Sequence, residues 1–111
     1  MRTSRGTSMT DRRWFVYLVE CRTRRIYTGV TPDLVNRMNA HRRGRGAAFT
    51  RINPPERLLA AKPFENRSEA QQVEAQVKRL PAAHKRFLAA EWSKEHPVDE
   101  RAQEALALGQ G

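Results

Sequence analysis

Trp14-Phe15-Val16-Tyr17-Leu18-Val19-Glu20-Cys21, then the polar Arg22-Thr23-Arg24-Arg25, then Ile26-Tyr27-Thr28-Gly29-Val30, is the stretch whose reading decides the fold. Two dense runs of aromatic and β-branched residues around a short polar break have the signature of a β-hairpin. Downstream, Thr31-Pro32-Asp33 supplies a helix start. Thr31 is read as the N-cap, and Pro32 fits the first turn, where its missing N–H would go unpaired anyway. This helix is predicted to run to about residue 43, where Gly44 and Gly46 end it and open a Gly-, Pro- and Arg-rich loop to Pro55.

A third, short strand is expected over residues 57–64. The next helix begins at Asn66-Arg67-Ser68, with Ser68 and Gln71 at capping-box spacing and Ala70, Val73, Val77 and Leu80 recurring at helical spacing. Pro81 breaks the pattern. A further helix over residues 82 to roughly 95 is expected to turn Phe87, Leu88 and Trp92 inward. The order strand, strand, helix, strand, helix, helix predicts an α+β domain over 14–97: a three-stranded antiparallel sheet flanked by helices. Residues 1–13 read as a flexible basic tail, and 98–111 as a C-terminal tail or marginal helix.

The chain has 111 residues and a formal net charge of +9, which bounds it to one small basic domain. One cysteine, Cys21, excludes an internal disulfide and a multi-cysteine zinc site. No run approaches the ~18 apolar residues of a membrane span, and no apolar signal-peptide core precedes Trp14. A cytoplasmic protein with no membrane partner is therefore expected. Sixteen basic and eight acidic residues fall within 14–97, and Arg37, Arg42, Arg43, Arg45 and Arg51 occupy a stretch without an acid. Either a polyanionic partner or a basic surface kept for solubility accounts for that cluster.

Chemistry-bearing residues recur beside the apolar stripes. Arg37 and His41 lie four residues apart and project from one helix face, beside Leu34 and Met38. They are either aimed at a shared ligand, or an arginine lying its stem on the core beside a partly buried histidine. Glu74 sits one turn before Lys78. It reads either as half of a helix ion pair worth ~0.3–0.5 kcal/mol or as a single carboxylate ligand for Mg²⁺, an ion that keeps several of its waters. Packing explains Tyr17 and Tyr27 singly. Gly29, however, is costly at a strand end unless backbone must approach something closely, and a phosphate would suit.

Phe15-Val16-Tyr17, Tyr27-Thr28-Gly29 ten residues on, and then Arg37, His41 and Glu74 together resemble the GIY-YIG nuclease family, in particular its small stand-alone bacterial members. The resemblance spans about residues 14 to 92 and includes 44–51 and 74–80. It implies a three-stranded antiparallel sheet carrying both tyrosines, and metal-dependent cleavage of DNA phosphodiester bonds. By that resemblance Glu74 would bind Mg²⁺ (or Mn²⁺), and Tyr17 would position the attacking water and take its proton. Tyr27 would hydrogen-bond the scissile phosphate or the water. Arg37 would stabilise the phosphate's developing charge, and His41 would orient the nucleophile or share the base role.

Phosphate contacts are expected from Gly29, Arg42, Arg43, Arg45, Arg51, Lys78, Lys85 and Arg86. Arg86 stands where many relatives carry an asparagine, and the two motifs keep only the tyrosines and the second glycine. With only short flanks, cutting with little sequence preference is expected, on duplex, branched, nicked or single-stranded DNA in repair or processing. The alternative is a non-catalytic nucleic-acid-binding module on the same fold, serving an unidentified protein partner.

Overall fold

The computed structural model describes residues 13–44 and 52–107. Strand β1 (Trp14–Cys21) is the centre of a three-stranded antiparallel sheet of order β2-β1-β3, with β2 (Ile26–Thr31) and β3 (Pro55–Phe64) at its edges. Pairing along the hairpin sets Tyr17 opposite Gly29 and Val19 opposite Tyr27. The connecting turn bonds Cys21 and Arg25 through their backbones, and Arg24 adopts a left-handed φ of 75°. Among the described residues, helices α1 (Leu34–Arg42), α2 (Arg67–Lys78), α3 (Ala82–Glu95) and α4 (Glu100–Ala107) flank this sheet in an α+β architecture.

β1 reads as a continuous apolar run because both of its faces are covered. On one face Tyr17 and Val19 pack with Leu34 and Met38 of α1 and with Ala102, Ala105 and Leu106 of α4. On the other face Val16 and Leu18 meet Ala70 and Val77 of α2 and Ala89 and Trp92 of α3. Period-2 alternation thus divides one strand between two cores.

Several sequence expectations are corrected in detail. The N-cap of α1 is Asp33, not Thr31: the Asp33 carboxylate accepts from the Asn36 amide at 3.1 Å, while Thr31 Oγ1 accepts from the Asp33 amide at 3.1 Å. Both oxygens could cap, and the shorter reach to the third helical amide belongs to Asp33. Asn66, rather than Ser68, caps α2 by accepting from the Glu69 amide at 2.8 Å, and Glu69 in turn accepts from the Glu65 amide. β3 starts two residues earlier than expected, at Pro55. Gly44 does follow α1, with a left-handed φ of +75° that spares it the Cβ penalty.

Two corrections concern packing. Phe87, expected inward, is 67% exposed, because burying Ala89 and Trp92 turns its side of α3 to solvent. His96-Pro97 does not close the domain. Residues 98–107, expected outside it, hold Val98 against the core and form α4, whose Ala102 and Leu106 are fully buried over α1. Gln103 further ties α4 to β3 by exchanging two 2.9 Å hydrogen bonds with the Leu58 backbone. A helix too short to stand alone is stabilised by the apolar face it buries. Leu106→Ala is therefore expected to lower unfolding free energy by about 2–5 kcal/mol. Phe87→Ala should change it by less than about 0.5 kcal/mol, both read by urea unfolding.

Candidate active site

The two tyrosines come together because β1 and β2 pair in a register that places them on one face. Their ring centroids lie 6.1 Å apart. His41, from the last turn of α1, stands edge-on to both, at 5.7 Å from the Tyr17 ring and 5.4 Å from the Tyr27 ring. Arg37, one turn earlier, donates from Nε to Tyr17 Oη at 3.2 Å, and Oη lies 2.8 Å from His41 Nε2.

Burial sets the electrostatics of this group. Tyr17 is fully buried and His41 is 1% exposed, whereas Arg37 and Tyr27 are half-buried above them. Burial pushes the Tyr17 phenol well above its ordinary pKa, the Arg37 hydrogen bond opposes that, and the charges of Tyr27 and Glu74 reinforce it. Burial, then the Arg37 charge, pulls His41 down to about 4. Around neutral pH the phenol keeps its proton and the imidazole is uncharged. The phenol proton then has Nε2 as its acceptor, which leaves the imidazole proton on Nδ1.

Gly29 is explained by this arrangement. A Cβ there would sit 2.5 Å from Tyr17 Oη and 2.9 Å from the Tyr27 ring, so the close approach that requires glycine comes from the two tyrosines rather than from a phosphate. The need for glycine at this position therefore has a reason within the fold, which a phosphate is not required to supply.

Glu74 lies on α2, half-buried, and its carboxylate is close enough for its charge to be felt at Tyr17. Lys78 Nζ stands 3.4 Å from it, so the helix ion pair is present as well. No group of three His, Cys, Asp or Glu able to hold a metal occurs among the described residues. A divalent cation on Glu74 would keep most of its own water, which suits Mg²⁺.

The expected phosphate contacts divide. Arg43 is exposed, and Arg42 is half-buried, with Nη2 donating to Asn39 at 3.3 Å. Lys78 and Lys85 line one cleft with Tyr27. Arg45 and Arg51 lie outside the described residues, as do Gly46 and Phe49. Arg86 is committed elsewhere: Nη1 donates to Glu20 at 2.5 Å and Nη2 to the Arg24 carbonyl at 2.7 Å. It ties α3 to the hairpin and is not turned toward the tyrosines, so its expected phosphate contact is corrected.

Glu20, the partner that sequence reasoning passed over, is 8% exposed and also faces Arg57 at 3.6 Å. Its Arg86 hydrogen bond holds the carboxyl below its ordinary pKa. The signal available was a lone acid within an apolar strand. Larger clefts of about 520 and 490 Å³ are lined by neither tyrosine and by none of Arg37, His41 and Glu74; one lies beside Phe15 and His96 and the other, bordered by Arg57 and Arg86, between β3 and α3.

Strand, helix and site order meet in one family: residues 13–86 match the GIY-YIG catalytic domain, and the chain belongs to that family, a family of nucleases acting on nucleic acid. Among its relatives, a UPF0213 protein of Xanthomonas axonopodis pv. citri is 47% identical over 72 residues, covering 65% of this chain and 71% of the relative. Another, from Cupriavidus necator, is 39% identical over 88 residues, covering 79% of this chain and 96% of the relative. The solution NMR structure of a UPF0213 protein from Bacillus halodurans is similar at 35% identity and a TM-score of 0.47, over 83% of this chain and 95% of that one. No helix among the described residues is long and apolar enough to cross a membrane.

Two expectations are testable in solution. His41 has a folded-state pKa depressed from 6.5 to about 4, so the unfolded chain binds more protons between those values. Stability from this residue is present above pH 6.5 and is lost as pH falls toward 4, by up to about 3 kcal/mol. His41→Gln should flatten urea-derived stability over that window. Separately, Arg86→Ala should lower stability by about 1–2 kcal/mol in urea unfolding, because it breaks the guanidinium's bonds to Glu20 and to the Arg24 carbonyl.

Proposed function

We propose that the protein is a metal-dependent DNA endonuclease of little sequence preference, and the observation that carries this reading is Tyr17 Oη held between Arg37 and His41 beside Tyr27 and Glu74. A phenol raised above its ordinary pKa is a poor phenolate base. His41 Nε2 stands 2.8 Å away as the acceptor for its proton. That imidazole, held down to about 4 by burial and Arg37, gains basicity when a phosphate draws Arg37 away and brings its own negative charge. In this reading a water gives its proton to Tyr17 Oη as the phenol proton passes to His41 Nε2. The water oxygen forms a bond to phosphorus, and the P–O bond opposite it breaks, its electron pair leaving with the deoxyribose oxygen, which takes a proton from solvent.

Arg37 has two tasks that compete. Its fork fits a non-bridging phosphate oxygen, yet in the isolated chain Nε is bonded to Tyr17 and helps to cover it. A phosphate that draws Arg37 away uncovers Oη for water, so substrate binding and exposure of the base are coupled. Tyr27, half-buried at the edge of the group, hydrogen-bonds the phosphate or the water. Glu74 would hold Mg²⁺ or Mn²⁺, which supplies positive charge to the phosphate oxygens when bound. Arg42 and Arg43 at the end of α1 would contact flanking phosphates.

Branched, nicked, duplex and single-stranded DNA are the substrates to compare, with repair or processing as the setting. Supercoiled plasmid and labelled DNAs of each form, incubated with Mg²⁺, Mn²⁺ or EDTA, test the proposal. Cutting should require metal and fall at least about a hundredfold in Glu74→Ala and Tyr17→Phe. Cutting retained by pure Glu74→Ala would overturn the metal assignment. Salt-sensitive binding with no cutting by wild type would leave a binding module in place of an enzyme.

A further inference from the structure

Thr28 lies on edge strand β2 between the site residues Tyr27 and Gly29, with its side chain on the opposite face. It is 2% exposed, and its Oγ1 is buried without a hydrogen-bond partner. An orphaned hydroxyl is costly, and Thr28 lines a shallow cleft of about 340 Å³ with Ile26, Tyr27, Lys78 and Lys85, its Oγ1 buried just behind the cleft wall.

Lys85 is placed against its own stability, whereas Lys78, in the last turn of α2, already meets Glu74 at 3.4 Å. Lys85 falls in the first turn of α3, which carries no acid and no side-chain cap, so its charge sits at the positive end of the helix dipole. It has no ion-pair partner among the described residues. Burial, then the neighbouring Lys78 charge, pulls its ammonium below the ordinary value. An orphaned hydroxyl, a repelling lysine pair and a cation at the wrong helix end are all relieved by one thing, an anion in the cleft.

We propose that Thr28, Lys78 and Lys85 form a phosphate-binding subsite, separated from the catalytic group by the single side chain of Tyr27, which borders both. Its phosphate is either the diester next to the scissile one on the same strand or a terminal monoester, and only that choice of source rests on the nucleic-acid reading above. Thr28 Oγ1 donates to a phosphate oxygen while the lysines neutralise its charge. A strand bound this way crosses the β2 edge, which orients it over Arg37 and Tyr17.

The test uses binding in EDTA, so that absence of cleavage cannot be mistaken for absence of the subsite. First, the thermal midpoint is read in 50 mM inorganic phosphate against sodium chloride of equal ionic strength. Wild type should gain a few degrees, and Thr28→Val and Lys85→Gln should lose that gain while remaining folded by circular dichroism. Second, anisotropy of a labelled single-stranded oligonucleotide is titrated across salt. Lys85→Gln should weaken binding about five- to tenfold and lower the salt slope by about 0.7, whereas Thr28→Val, which removes no charge, should weaken binding without changing the slope.

Oligonucleotides with and without a 5′-phosphate separate the sources. A gain from the added phosphate that both variants erase assigns a terminal monoester, and equal affinity that both variants weaken assigns an internal diester. A phosphate-dependent midpoint in wild type without oligonucleotide binding leaves free phosphate as the ligand and overturns the nucleic-acid reading alone. If both variants keep the wild-type phosphate gain and the wild-type affinity, the subsite does not exist.

Discussion

A phenol hydroxyl placed inside a folded protein must find hydrogen-bond partners or cost more stability than one small domain can spare. Tyr17 Oη meets that requirement through Arg37 and His41, both supplied by α1. The constraint then propagates. α1 must lie across the Tyr17 face of the sheet, so Leu34 and Met38 pack there, and β2 must carry glycine opposite Tyr17 so that its ring has room. Helix, hairpin register and glycine are consequences of one buried polar atom.

The same burial that makes the tyrosine a structural anchor sets its chemistry. A fully buried phenol holds its proton and a fully buried imidazole stays uncharged, so around neutral pH both members of the pair rest neutral. Arg37 screens both and is itself only half-buried, which leaves it the member of the group that solvent or a phosphate meets first. Stability and proposed reactivity thus draw on the same three side chains, as expected where a site is built on rigid elements.

Charge elsewhere divides between structure and ligand. Glu20 gathers Arg86, Arg57 and Arg24 and fastens α3 to the hairpin, so part of the basic excess serves the fold. Lys85 has no such partner among the described residues and lies near Lys78 instead. Counting charges along the chain cannot separate these cases, because an arginine paired across 66 residues and a lysine left beside another lysine look alike in sequence.

Much of the architecture was legible from local pattern. Dense β-branched runs marked β1 and β2, and helical spacing of Ala70, Val73 and Val77 marked α2, because strand and helix periods follow from backbone geometry alone. The order of Tyr17, Tyr27, Arg37, His41 and Glu74 was equally visible, and with it the family. What sequence by itself determined, then, was which elements form and which chemical groups they carry. Tertiary structure alone decided that Phe87 faces solvent, that residues 98–107 complete the core through Leu106, that Arg86 belongs to Glu20, and that Gly29 makes way for a tyrosine. Each of those depends on which surfaces meet across long stretches of chain, and packing, unlike periodicity, is not written in any local window.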